Sequence, residues 1–220
     1  GLLGINSPAE VDGNENTDPA LPGLRGIDAL KWNDVTFDVA VRHGVTTVVT
    51  GPGSSNIIGG TFTAIKTAGK DPDSRVISQE ICMKMALGEN PKCVYNERHE
   101  TPVTRMATAA IIRENLAKAL EYGEKLERAA EDEEEDKPDY DAKLEALVPV
   151  LRREVPAHFH AHRADDMLTA IRIAREFDLD YVLVHGTEGH LIADILAAVG
   201  ARVIGGPLLT DRSKPELSHQ

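Results

Sequence analysis

Cysteine is nearly absent: Cys82 and Cys93 are the only two in 220 residues, and they lack CxxC spacing. That argues against a disulfide framework or a cysteine zinc site and fits a reducing, cytoplasmic setting. Basic residues are also scarce, 24 Lys and Arg against 36 Asp and Glu, for a formal net charge of −12. Neutralising phosphates requires a basic patch, and none is visible, so no nucleic-acid partner is expected. No apolar run approaches the ~20 residues that span a bilayer. The opening "GLLGINSPAEVDGNENTDP" lacks the basic segment and apolar core of a signal peptide. Neither a membrane anchor nor a leader is expected. What the chain does have is 41% hydrophobic and 27% charged residues, enough for one globular unit with a substantial core.

Residues 1–30 are rich in Asn, Asp, Gly and Pro and read as loop. "TFDVAVRHG" reads as a helix closed by Gly44, with His43 favourably placed at its C-terminus, and "VTTVVTG" as a buried strand. "GPGSSNIIGG" reads as a Gly-rich loop, and "TAIKTAGKDPDS" as a connection to a second strand in "RVISQEICMKMALG". A helical period then sets in at "TPVTRMATAAIIRENLAKALEYGEKLERAA", with Thr101 as N-cap and Pro102 at the first helical position. The run "EDEEEDKPD" breaks it and "YDAKLEALVPVLRREVP" resumes it, which predicts a helical hairpin over about 102–152 with an acidic, solvated tip. After Pro156 come strand "AHFHAH", helix "ADDMLTAIRIAREFD", strand "YVLVHG", helix "EGHLIADILAAVG" and strand "RVIGGPLL". This βαβαβ order predicts an α/β fold in a single domain, residues 1–220, with a parallel sheet. An open doubly wound sheet and a (β/α)₈ barrel both satisfy it, and both place ligand groups at the C-terminal strand ends.

Polar residues gather at those ends. His160 and His185 each close an apolar strand in adjacent βα units. Neighbouring strand ends lie ~5 Å apart, and two imidazoles there could share a divalent ion at ~2.0–2.1 Å. His158, His160 and His162 occur at every second position and would face one side at ~6.6–6.8 Å intervals. An extended strand then allows one ligand, His160, with His158 structural and His162 and Arg163 available to substrate. Asn56 in the Gly-rich loop and His190 beyond "HGTEG" are further substrate-binding candidates. "GPGSSN" also offers backbone N–H groups to an anion, although GxGxxG and GK[ST] are both missing. Arg105 on the long helix is expected to be exposed and without a role.

The segments "HGVTTVVTGPGSSNIIGG", "MKMALGENPK", "TPVTRMATAAIIRENL", "HFHAHRADDMLTAIRIAREF", "VLVHGTEGHLIADILA" and "GGPLLTDRSKPEL" together resemble the metal-dependent amidohydrolase superfamily, in its imidazolonepropionase-related branch. "HAHRADD" and "HGTEGH" are the most specific of these. The resemblance implies a (β/α)₈ TIM-type barrel whose one or two divalent metals, zinc foremost, activate water to cleave an amide or related C–N bond. His160 and His185 match the ligands ending its fifth and sixth strands. Glu89 of "ALGENP" is similar to the third-strand glutamate of deacetylase-type members, with Lys84 as the carboxylated-lysine alternative.

The resemblance also implies parts that this sequence does not carry, a His-x-His pair on the first strand and a general-base aspartate on the eighth. The expectation is therefore an incomplete barrel, with strands roughly 2 to 7 present and the first and last missing, inactive as an isolated chain. Its partners would be a small-molecule substrate and, at most, further copies of itself. Two alternatives stand beside this reading: a non-catalytic amidohydrolase-like scaffold, and an open α/β domain binding a phosphorylated ligand at "GPGSSN".

Overall fold

The computed structural model describes residues 11–132, 134–206 and 214–217. After a 3-10 turn at Gly26–Ala29 come α1 (Val35–Arg42), β1 (Thr47–Thr50), β2 (Ile58–Lys66), α2 (Pro72–Arg75) and β3 (Val76–Ala86). There follow α3 (Glu89–Glu97), α4 (Arg105–Glu131), α5 (Ala142–Leu151), β4 (Ala157–Ala161), α6 (Ala164–Glu176), β5 (Tyr181–His185), α7 (Ala193–Ala198) and β6 (Arg202–Gly205). The six strands form one sheet in sequential order. The opening residues 1–10, and the part of the expected last strand beyond residue 206, lie outside the described residues.

Two parts of the sheet follow different rules. β3, β4, β5 and β6 are parallel neighbours, joined by connections that carry helices. β1–β2 and β2–β3 are antiparallel, which departs from the expected all-parallel sheet. The cause is connection length: a parallel crossover needs a dozen or more residues, and the links on either side of β2 are shorter.

β2 itself occupies a stretch expected to be loop, because its two glycines read as punctuation. They are there for a close approach instead. The backbone of residues 20–25 bridges β2 at Ile58 and Thr61, with Thr61 N–H donating to Leu24 O at 2.8 Å. Gly60 sits at φ 106°, and a Cβ there would lie 2.1 Å from Leu24 O. Glycine alone accepts that backbone and that contact.

The long helix starts later than expected. Thr104, not Thr101, is the N-cap, its Oγ1 accepting from Ala107 N–H at 3.1 Å. Pro102 therefore stands outside the helix. Thr108, Ile112, Leu116 and Ala119 recur at helical spacing and are fully buried against the sheet and α5. Asp141 caps α5 by accepting from Lys143 and Leu144 N–H, and Tyr122 Oη donates to Glu145 at 2.8 Å across the helix pair. α6 has no cap from its own N-cap side chain; Glu188 of the β5–α7 connection accepts from Ala164 N–H at 2.9 Å in its place. Among the described residues no helix is long and apolar enough to cross a membrane.

Strand alternation sorts the chemistry. Met83, Met85, Ala157, Phe159, Ala161 and Leu183 point to the helix-covered face and join Ile112, Leu116, Leu147, Met167 and Ala170 in the core. Each of the large side chains among them contributes roughly 1.5–3 kcal/mol by leaving water. The alternate residues Lys84, Ala86, His158 and His160 face the other side, in the registers Lys84↔His158 and Ala86↔His160.

Gly60→Ala is expected to destabilise the chain by ~2 kcal/mol or more, through left-handed strain and displacement of residue 24. Gly200→Ala, also at positive φ but with open space around it, should cost no more than the ~1–2 kcal/mol of the backbone alone. Urea denaturation of the two variants side by side measures the difference, and equal losses would remove the close-approach argument.

Candidate metal centre

At the C-terminal ends of β4 and β5 three imidazoles meet. The ring centroids of His160 and His162 are 4.8 Å apart, those of His160 and His185 4.5 Å, and those of His162 and His185, which are stacked, 4.4 Å. One ligand nitrogen from each lies within 4.8 Å of the others. Three ligands at ~2.1 Å from one tetrahedral ion lie ~3.4 Å apart, so a shared ion requires the rings to close by up to ~1.4 Å.

His162 belongs to this group, which the extended-strand argument did not anticipate. β4 ends at Ala161, so His162 is already past the ladder and free of its 6.6–6.8 Å spacing. His185 arrives differently. Its odd position in β5 pairs it with Ala161, a residue of the core face. A left-handed backbone at His185, φ 81°, breaks the alternation and accompanies the turn of its ring toward His160 and His162. A non-glycine residue there carries ~1–2 kcal/mol of strain, which the surrounding structure must hold.

The protonation state suits metal ligation. Burial, with the nearby Lys84 charge second, holds His160 well below the usual imidazole range. Burial followed by the other cations around it lowers His162 to about 4, and burial lowers His185 as well. All three rings are neutral at pH 7, each with a nitrogen lone pair. His185 Nδ1 lies 2.6 Å from Gly206 O. A carbonyl only accepts, so that nitrogen bears the proton and Nε2 is left as a donor atom for a metal. His162 Nδ1 is held by Thr187 Oγ1 at 2.7 Å, and His160 Nδ1 by Ser54 Oγ at 3.1 Å. The donor set fits a divalent ion that accepts nitrogen ligands.

The other sequence candidates fall elsewhere. Glu89 opens α3 and is not in the histidine cluster; its backbone N–H donates to Glu216. Asn56 is buried, and its amide donates to the carbonyls of Glu15 and Asp18 at 2.5 and 2.8 Å, which engages it in holding the N-terminal loop. Arg163 pairs with Asp165 at 2.7 Å on the exposed side of α6. His190 is exposed, with Nδ1 3.2 Å from Thr187 O. In "GPGSSN", Gly53 N–H donates to Gly13 O and Ser55 N–H to Asn14 Oδ1, so two groups of the supposed anion cradle serve the fold. His158 lies on the interior face outside the cluster, lowered to about 4 by burial.

Lys84 is 4% exposed beside these rings. Burial lowers its pKa to about 8.

Behind the site lies a group that sequence reading missed. Arg105 Nε donates to both carboxylate oxygens of Asp166 at 2.9 and 3.1 Å, and its Nη2 lies 3.5 Å from Glu216 Oε1. Arg105 is expected from the sequence to be idle; it faces two carboxyls that are 2% and 1% exposed. One guanidinium cannot fully offset two buried acids. Burial raises Asp166, and burial together with Glu89 and Asp166 raises Glu216 to about 7. Gly88 at φ 87° gives the cluster its space, since a Cβ there would lie 2.3 Å from Glu216 Oε1. The Asp-Asp pair after "HAHR" was the available signal, but nothing in the sequence pointed to Glu216.

Three histidines that could hold a metal ion, gathered at parallel strand ends, are thus the class of site that this fold presents. Comparison with known proteins points to amidohydrolases. The chain is 44% identical to an amidohydrolase from Thermotoga maritima MSB8, whose crystal structure superposes with a TM-score of 0.91 over 94% of this chain and 54% of that one. It is 31% identical, over 89% of its length, to amidohydrolase tasK of Hapsidospora irregularis, of which it covers 22%. The chain thus spans about half of the first relative and about a fifth of the second. No family model matches it. The two relatives support an amidohydrolase family, and the superposition agrees with a sheet curled as part of a barrel.

Glu216 yields a pH prediction. Its folded pKa of about 7 exceeds the ordinary 4.5, so its contribution is fully present below pH 4.5 and is lost as pH rises through 7. Relative to Glu216→Gln, the wild-type chain should lose up to ~3 kcal/mol of stability across that window. Denaturation curves for both proteins at pH 5 and pH 8 test this, and parallel pH dependences would exclude the raised pKa.

Proposed function

We propose that the chain carries the metal-holding part of a metal-dependent amidohydrolase of the imidazolonepropionase-related branch, acting on a small molecule with an amide or related C–N bond. The observation that carries this reading is the convergence of three neutral imidazoles, His160, His162 and His185, at the C-terminal ends of adjacent parallel strands. The names of the two relatives and the motifs "HAHRADD" and "HGTEGH" support it. Zinc is the metal that we assign, on the strength of an all-imidazole donor set. When bound, such an ion supplies Lewis-acid polarisation of the scissile carbonyl and acidification of water.

The residues of this chain do the rest of the work that can be assigned. Gly206 O and Thr187 Oγ1 fix two of the rings, and Lys84 adds a buried amine on the same face of the sheet. Among the described residues no carboxylate joins the histidine cluster. No carboxylate is therefore assigned among them as proton acceptor for the attacking water, and we expect metal binding with little turnover.

The test is metal content by mass spectrometry, with a panel of small amides assayed alongside. About one equivalent of zinc is expected, with a loss of tenfold or more in affinity in His160→Ala and in His185→Ala. Unchanged stoichiometric metal in both variants would sink the ligand assignment. Rapid, chelator-sensitive amide cleavage by the wild-type chain would overturn the expected low turnover.

A further inference from the structure

Lys214, Asn90 and His160 form a chain of hydrogen bonds whose directions are fixed by chemistry. Lys214 Nζ lies 2.7 Å from the Asn90 side-chain oxygen. An ammonium has donors and no acceptor, so the amide atom facing it must be Oδ1, and the two ends of the Asn90 amide are thereby told apart. Asn90 Nδ2 then faces His160 Nε2 at 3.2 Å. An amide NH₂ only donates, so Nε2 must be the accepting nitrogen of that ring. The remaining proton sits on Nδ1, which donates to Ser54 Oγ at 3.1 Å.

We propose that Lys214 and Asn90 are positioning residues that lock His160 into the Nδ1–H tautomer and keep its lone pair on Nε2. The tautomer follows from the hydrogen bonds alone. An ion at His160 would take the Nε2 lone pair in place of the Asn90 N–H, and that use rests on the function proposed above. The segment that carries Lys214 is itself anchored two residues on, where Glu216 accepts from Glu89 N–H and faces Arg105. Glu89 immediately precedes Asn90, so the same contact that seats the segment also seats the turn bearing the amide. The Arg105–Asp166–Glu216 group thus acts on the site through Asn90, without touching any imidazole.

Long-range proton–nitrogen NMR of the ¹⁵N-labelled 220-residue chain reports which ring nitrogen of each histidine bears a proton, and a His160→Gln variant assigns the signals. Wild-type His160 is expected to be protonated at Nδ1 and bare at Nε2. In Asn90→Asp both side-chain oxygens accept, and the proton should appear on Nε2. Lys214→Met should give a mixture of tautomers, and Lys214→Arg should restore the single form. A wild-type His160 protonated at Nε2 overturns the proposal even if every variant fails to fold, and so does an Asn90→Asp spectrum with Nε2 still bare. Zinc uptake by the wild-type chain is measured on the same samples. Tautomers as expected without zinc uptake would refute the metal reading and leave the positioning chain standing.

Discussion

The left-handed backbone at His185 is the constraint on which the site depends. Strand alternation puts His160 on one face of the sheet and assigns His185, paired with Ala161, to the other. Regular β geometry would therefore bury the His185 ring among the helices. The φ of 81° breaks the alternation at the last residue of the strand. Such a conformation persists only where its surroundings over-determine it. Here they do: Gly186 N–H donates to Ala161 O, His185 O accepts from Gly206 N–H, and the imidazole bonds to Gly206 O. Neighbouring strands thus hold both the backbone and the ring.

Support for the site is layered outward from the rings. Ser54, Thr187, Asn90 and the Gly206 carbonyl each engage one ring nitrogen, and they come from four different connections. Those connections are tied together in turn. Glu188 N–H donates to His162 O while its carboxylate caps α6, and Arg105 draws α4 toward Asp166 of α6. The buried acids around Arg105 are costly to maintain, because a group left partly unpaired in a low-dielectric interior retains its desolvation penalty. Glu216 Oε2 is buried and has no hydrogen-bond partner among the described residues. An all-apolar cluster would pack there at lower cost, but it could not accept from Glu89 N–H.

The sequence made the helices and the parallel half legible because their signals are local. Spaced Ile112, Leu116 and Ala119, and the strands carrying His160 and His185, follow from periodicity alone. β2 was not legible: Gly59 and Gly60 look like a turn until the backbone of residues 20–25 is seen crossing them. Within the site, the pair His160 and His185 was readable from strand ends. His162 was assigned away because an extended strand forbids two adjacent same-face ligands, a sound rule that stops applying one residue past the ladder. Asn90, Ser54 and Lys214 gave no usable signal, since they meet His160 from sequence distances that no local pattern encodes. Glu89 opens the turn in which Asn90 makes the contact with His160.

The helical pair α4–α5 lies wholly between β3 and β4, so the register that joins Met83 to Ala157 closes only after α3, α4 and α5 have been bridged. The antiparallel β1–β2–β3 meander, by contrast, forms from near neighbours in the chain. Closing the β3–β4 seam therefore carries a larger loop-closure entropy than pairing the meander does. Lys84 lies on one side of that seam and the three histidines on the other, so the buried amine meets the imidazoles only where β3 and β4 pair.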